Sequence, residues 1–270
     1  MASNNSFNLK EDQALAALAR SLGTANFPKA LSYFVNRLVE FDNLIFIAYH
    51  KDRVPEALYS ESFGSLLINL FENHYLKGAY MLDPFFHATK NGVQTGIHNI
   101  FDLAPDHFKH TNYYKEYYIN APVIDEIALF APLGTETTLT ACFTRDKKRD
   151  QRFTKKEIKR LKMFENVLSA LCEQNWSSYQ PQKSHTTENL NSVTERLREA
   201  LEYQQQISLS PRQAEVAFYI LQGHSSVSIS LILQISKETV KVFRKQLYSK
   251  CNISSQAELF ALLMPVISTL

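Results

Sequence analysis

The chain has 270 residues, 45% of them hydrophobic, and carries 29 Lys and Arg against 27 Asp and Glu. That length allows two domains, each with its own core, and the apolar fraction is that of a soluble globular protein. A formal charge of +2 excludes a globally basic chain, so a nucleic-acid partner would have to meet a local patch of cations.

The front region, residues 8–176, mixes helical and extended patterns. Ala14, Leu15, Leu18 and Leu22 recur at helical spacing over 12–22, and Leu31, Phe34, Val35 and Leu38 do so over 28–41. Leu44 to Tyr49 is a β-branched and aromatic run that reads as a buried strand. A helix is expected over 63–78. Another short one starts at Asp83-Pro84, with Asp as cap and Pro in the first turn. An aromatic-rich helix is expected over 106–118, then strands over 124–132 and 137–145 joined by a turn near Gly134. A last helix begins at the capping box of Thr154 and Glu157 and runs to about Trp176. Neighbouring strands joined by a tight turn pair antiparallel, so the expected fold class is α+β: an α/β/α sandwich around an antiparallel sheet.

Candidate ligand chemistry sits at 71–86, where Phe71, Tyr75, Tyr80, Phe85 and Phe86 gather beside Asp83. Apolar walls with a few polar groups suit a small-molecule pocket, and core aromatics beside a helix-capping aspartate account equally for the same residues. Residues 145–162 are rich in Lys and Arg, either as a solvated face or as extra contact with DNA phosphates. His107 and His110 have a spacing that a metal tolerates, but no third ligand is placed, so no metal is expected. There is no glycine-rich phosphate loop and no nucleophile elbow, so neither a cofactor nor an enzyme is expected. A hydrolase hidden in the front domain is the residual enzymatic alternative.

The polar stretch 177–187, broken by Pro181, reads as a linker, and 177–206 as linker plus a helix at about 188–204. Leu190, Val193, Leu197 and Leu201 form one stripe of that helix, to be buried in its own domain or against a second subunit. Residues 207–270 then read as a four-helix domain with explicit caps. Ser210, Pro211 and Gln213 open the first helix and Gly223 ends it. Ser225 or Ser226 opens the second, which is expected to bury Ile229, Ile232 and Leu233. Ser236 opens the third, and a box of Ser255 and Glu258 the fourth. In the third helix Val240, Leu247 and Tyr248 face the bundle, while Lys237, Lys241, Arg244, Lys245 and Lys250 lie outside that stripe. A helix of this width fits the DNA major groove, where cations meet phosphates or guanine edges.

Residues 207–263 resemble the DNA-binding domain of the LuxR family of bacterial transcription factors. The resemblance rests on Leu209 to Val216, on Ile235-Ser236 with Thr239-Val240-Lys241-Val242, and on Ser255, Ala257, Glu258 and Leu259. It implies base and phosphate contacts from Lys241, Val242 and Lys245, with Thr239 near a phosphate. Lys237, Phe243 and Arg244 complete the candidate face, Phe243 standing where the family usually has His. The scaffold helix has Ser226-Val227-Ser228 in place of the family's Asn-Lys-Glu. The front domain is similar to the sensor half of LuxR-type quorum-sensing regulators, a GAF/PAS-like sensor fold. That similarity puts Phe71, Tyr75 and Asp83 in an acyl-homoserine-lactone-like pocket, although Phe replaces the usual Trp and the Tyr-to-Asp gap is one residue short.

Together these features lead to a sequence-specific transcriptional regulator with double-stranded operator DNA as partner, a homodimer whose front domain senses a small molecule, and RNA polymerase as a further partner. The alternative is a ligand-independent regulator whose front domain serves only dimerisation or protein interaction. Cys142, Cys172 and Cys251 are far apart and odd in number, as reduced thiols of a bacterial cytoplasmic protein would be. No apolar run reaches membrane-spanning length, and Asn4, Asn5 and Ser6 carry no secretory signal.

Overall fold

The computed structural model describes residues 2–51, 53–62, 65–181 and 190–268. The helices are α1 (Ala2–Arg20), α2 (Phe27–Leu38), α3 (Ser65–Leu70), α4 (Pro84–Lys90), α5 (Ile100–Leu103), α6 (Asn112–Tyr114), α7 (Lys155–Lys162), α8 (Glu165–Asn175), α9 (Leu190–Gln205), α10 (Pro211–Gln222), α11 (Ser226–Leu233), α12 (Lys237–Lys250) and α13 (Gln256–Ile267). The strands are β1 (Asn43–His50), β2 (Glu56–Ser62), β3 (Gly96–Asn99), β4 (Val123–Pro132) and β5 (Thr137–Asp146). They form one sheet in the order β2-β1-β5-β4-β3, every pair antiparallel.

Side chains alternate across the pleat. Leu44, Phe46, Ile127, Leu129, Leu139, Ala141 and Phe143 face one layer with α1, α2, α7 and α8. Ile45, Ile47, Tyr49, Ala128, Phe130 and Cys142 face the other. That second core also takes in Phe71, Phe85, Phe108 and Tyr113, and continues into Val216, Phe218, Val240, Leu247 and Leu263 of the C-terminal helices. One apolar cluster therefore joins the two domains. The expected α+β sandwich and the C-terminal helical domain are both present.

Several local expectations are corrected. The edge strands β2 and β3 appear where none was read, because β2 is polar and β3 spans only four residues. The region 106–118 is not one helix: a 3₁₀ turn at Phe108–His110, the short α6 and a π-type turn at Lys115–Asn120 replace it. The expected 63–78 helix passes into a π-type turn at Phe71–Tyr75 beyond α3. The helix after Thr154 breaks at Met163 and Phe164 into α7 and α8. In α11 only Ile229 is buried, while Ile232 is 42% exposed. The Ser255 cap of α13 forms, but Glu258 returns its carboxylate to the Ser254 N–H rather than to Ser255.

The α9 stripe has its destination in its own chain. Val193, Leu197 and Leu201 are buried in the same core as α10 and α13, and Arg198 Nε donates to the Leu209 carbonyl at 2.9 Å. Leu190 opens the helix, but its side chain, like residues 182–189 of the expected linker, lies outside the described residues.

The basic region 145–162 is partly internal. Arg145 is buried, pairs with Glu157 at 2.7 Å and lies 4.3 Å over the Phe153 ring. Arg149 holds Glu40 and Asp42, and Arg160 holds Glu11. These three guanidiniums lock the loop and α7 onto the sheet and α1, so a role at phosphates would fall to the exposed Arg152 and the lysines of the segment.

The front domain docks on the α10–α11 turn. Gly223 ends α10 with φ at 98°, a conformation that favours glycine. Its carbonyl accepts the His107 N–H at 2.8 Å, and the Asp106 carboxylate accepts the Ser225 N–H at 2.9 Å. A Cβ on residue 223 would lie 2.8 Å from Phe108 Cα. Gly223→Ala should therefore cost on the order of 2–4 kcal/mol in urea unfolding, from left-handed strain plus the backbone clash. It should also speed hydrogen exchange at the His107 and Ser225 amides. An unchanged midpoint and unchanged protection would contradict this docking.

Candidate functional site: a cationic helix face and an aromatic cavity

The first site is built by α12. Ser236 caps it, its hydroxyl accepting the Thr239 N–H at 3.0 Å. Val240 and Leu247 are buried seven residues apart and fix which side of the helix faces inward. Lys237, Lys241, Arg244 and Lys245 are exposed, and Val242 among them is 52% exposed. Thr239 is half-buried, with its hydroxyl 2.8 Å from that of Ser236. Phe243 is also half-buried and packs against the core. Lys241 Nζ lies 3.0 Å from Glu238, a solvated pair that costs little to open. Arg244 rests 5.2 Å over the Tyr248 ring, and Lys250 is tied to the Ser208 carbonyl at 2.9 Å. The structure thus presents a cationic surface from Lys237 to Lys245 that the described residues leave exposed.

The second site lies on the aromatic side of the sheet. A partly open cavity of about 60 Å³ lies there. Ile45, Ile47, Leu67, Val123 and Cys142 line it, with Phe71, Tyr75, Tyr113, Tyr117 and Tyr118, and with Asp83 and Glu126 as its acids. Of the residues gathered at 71–86, Phe71, Tyr75 and Asp83 are brought together here, while Tyr80, Phe85 and Phe86 are packed in the core and do not line the cavity. Asp83 meets both descriptions given to it. Its Oδ1 accepts the Phe85 N–H at 2.8 Å and caps α4, while its Oδ2 accepts the Tyr75 hydroxyl at 2.5 Å. The Tyr49 hydroxyl bonds that of Tyr75 and lies 3.4 Å from Asp83 Oδ2.

Sequence reasoning missed Tyr113, Tyr117, Tyr118, Glu126 and Cys142 as wall residues. The signal for the tyrosines is the pattern Tyr113-Tyr114 and Tyr117-Tyr118, which repeats rings one turn apart. For Glu126 it is an acid that directly precedes the apolar run 127–131 of β4, on the same pleat face as Ala128 and Phe130. The Tyr118 hydroxyl donates to Glu126 at 2.6 Å. Burial pushes Asp83 up to about 6, against the hydrogen bonds from Tyr75, Phe85 and Tyr49. Burial, reinforced by the charge of Asp83, pushes Glu126 up to about 8. Burial likewise raises Tyr49, Tyr75, Tyr113 and Tyr118.

One segment touches both sites' domains. Asp106 and His107 bond the α10–α11 turn, and within a dozen residues Tyr113, Tyr117 and Tyr118 wall the cavity. His107 and His110 are exposed at this junction, and the described residues contain no cluster of three His, Cys, Asp or Glu arranged to hold a metal. No described helix is long and apolar enough to cross a membrane.

A capped helix-turn-helix with an uncovered cationic helix, docked on an α+β domain with an internal cavity, defines a two-domain DNA-binding regulator. Residues 207–263 match the family described as bacterial regulatory proteins, luxR family. A putative HTH-type transcriptional regulator from the exeN 3' region of Aeromonas salmonicida is 30% identical over 187 residues, covering 67% of this chain and 93% of the relative. The chain belongs to the LuxR family of bacterial transcriptional regulators. Among solved structures, the LBD domain of VqsR from Pseudomonas aeruginosa shares the fold of the front region: TM-score 0.53, 22% identity, 63% of this chain and 98% of that one. Escherichia coli SdiA aligns over 97% of this chain and 99% of its own, at 16% identity and TM-score 0.47.

The raised acids have a pH consequence. A carboxyl whose folded pKa exceeds its unfolded value binds more protons when folded, so stability falls as pH rises between the two values. For Glu126 that window runs from its ordinary value of 4.5 to about 8. Glu126→Gln should therefore gain stability relative to the parent as pH rises from 5 to 9, read as the difference in urea midpoints. A constant difference across that range would show that Glu126 titrates normally.

Proposed function

We propose that this chain is a sequence-specific DNA-binding regulator that acts as a homodimer in the bacterial cytoplasm, and that its front domain senses a small molecule. The exposed cationic face of α12 carries this reading. Lys241 and Lys245 are the principal contacts to bases and phosphates. Thr239 and Lys237 sit at the helix start near the backbone, and Arg244 and Val242 on the adjoining surface. Phe243, half-buried, reaches the groove only with its outer edge. Two copies meet two related half-sites, as two-fold operators require. The α9 stripe is used within the chain, so dimer contacts fall to other surfaces, such as Met163 at the end of α7 and Val167 in the first turn of α8, which are both exposed. RNA polymerase is the partner through which such a dimer changes transcription. No enzymatic step is assigned to either site.

The sensor reading is supported by the cavity, which is apolar in body and polar at Asp83 and Glu126. The segment 106–118 gives occupancy a route to the DNA-binding domain, since a ligand acts by binding one arrangement of the chain better than another. The ligand-independent alternative is favoured by one observation: Tyr75 and Tyr118 already satisfy oxygens of the two acids.

Lys241→Ala should weaken binding of the preferred duplex by about 1–3 kcal/mol and flatten base preference at one position. Lys245→Ala should weaken binding and make its salt dependence shallower. Fluorescence anisotropy with duplexes selected from a random library measures both. Unchanged affinity in the double variant would contradict the contact assignment.

For the sensor, Asp83→Asn keeps an acceptor for the α4 cap and removes the charge. The variant should remain folded and lose any ligand-dependent change in DNA affinity. If it unfolds instead, the role of Asp83 is structural.

A further inference from the structure

The chemistry of the front cavity selects a class of occupant. Two stacked ring pairs stand in its walls. Phe71 and Tyr75 have centroids 5.2 Å apart and planes at 22°, and Tyr113 and Tyr117 have centroids 4.6 Å apart and planes at 28°. The pairs meet at Tyr75 and Tyr117, whose centroids are 6.2 Å apart with planes at 79°, so the rings form a corner. Asp83 and Glu126 border the same space, and among the described residues no Lys, Arg or His lines it. The partners of the two carboxyls are neutral donors: phenol hydroxyls, the Phe85 N–H and the Cys142 thiol.

Ring faces carry negative charge density and attract cations, most strongly where water is excluded. The ring faces and the two acids therefore favour a positive guest, and among the described residues no lining group supplies a countercharge to an anion. Size narrows the guest further. The cavity volume is small, about 60 Å³. That suits a compact head group.

We propose that the cavity binds a small organic cation, an ammonium head on a short apolar stem, placed against Tyr75, Tyr113 and Tyr117 with Asp83 and Glu126 as countercharges. The proposal rests on the sensor reading of the front domain and narrows its ligand class. Binding favours the ionised carboxyls, so it releases protons near neutral pH. Affinity consequently rises from pH 6 to pH 9. A neutral guest of the same shape leaves both acids uncompensated and releases no protons.

The test is titration calorimetry on the full-length protein, in buffers of differing ionisation enthalpy. Choline and n-butylamine are compared with their neutral isosteres, 3,3-dimethylbutan-1-ol and n-butanol. Each cation should bind about tenfold or more tightly than its isostere, with proton release at pH 7. Glu126→Gln, nearly isosteric, should cut that preference by about fivefold and remove most of the proton release. Tyr117→Leu should weaken cation binding similarly, while Tyr117→Phe, which keeps the ring, should stay within about twofold. Circular dichroism and thermal midpoints establish that each variant is folded. Isosteres that bind as tightly as the cations would overturn the cation assignment and leave the sensor reading intact. Cation binding untouched by both Glu126→Gln and Tyr117→Leu would place it elsewhere and overturn the proposal. Binding by none of the four would overturn it as well, and the sensor reading would then depend on the Asp83→Asn comparison alone.

Discussion

Because β1, β5 and β4 alternate their side chains across a sheet buried on both faces, a slip of one residue would exchange its two cores. One face receives aliphatic and phenylalanine side chains under α1, α2, α7 and α8, with Arg145, Glu157 and Phe153 fastening the exit of β5 to α7. The other face receives the tyrosines, Asp83 and Glu126. The same register that fills the first core brings Glu126, Cys142 and Thr144 of adjacent strands to the cavity. Sheet pairing thus decides which polar groups are buried, and burial in turn sets their protonation.

That second face also connects the domains. Its apolar cluster runs without interruption from Ile45 and Phe130 through Phe108 and Tyr113 to Phe218 and Leu263. The junction is narrow in polar terms: the Gly223 carbonyl, the Ser225 N–H and their partners His107 and Asp106. Burial of apolar surface supplies most of the attraction, while the few hydrogen bonds set orientation. A junction of this kind can hold two arrangements that differ by a few contacts, which is what a ligand-responsive regulator needs.

Much of this was legible in the sequence because local chemistry decided it. The boundaries of α10 and α12 follow from Ser210, Gln213, Gly223 and Ser236, whose capping bonds all form. The central strands follow from runs of apolar and β-branched residues. The residues missed depend on distant partners. Nothing local marks β3 as a strand, since Gly96–Asn99 becomes one by pairing with β4. The 106–118 segment has helical spacing, yet it breaks: the His107 N–H goes to the Gly223 carbonyl, and Thr111 starts a separate short helix as its cap. Arg145 and Arg160 read as surface charge in a basic run, and only the fold reveals Glu157 and Glu11 opposite them. The cavity was legible in part for the same reason: Phe71, Tyr75 and Asp83 cluster in sequence, whereas Tyr113, Tyr117 and Glu126 arrive from separate elements.

The central claim is that the surface of α12 from Lys237 to Lys245 enters a duplex groove. Photo-cross-linking tests it most directly. A duplex selected from a random library would carry 5-iodouracil at each thymine position in turn, and cross-linked peptides would be mapped by mass spectrometry. The account predicts cross-links at the centre of each half-site to peptides of α12. Cross-links confined to the 145–162 segment or to the front domain, with none in α12, would contradict it.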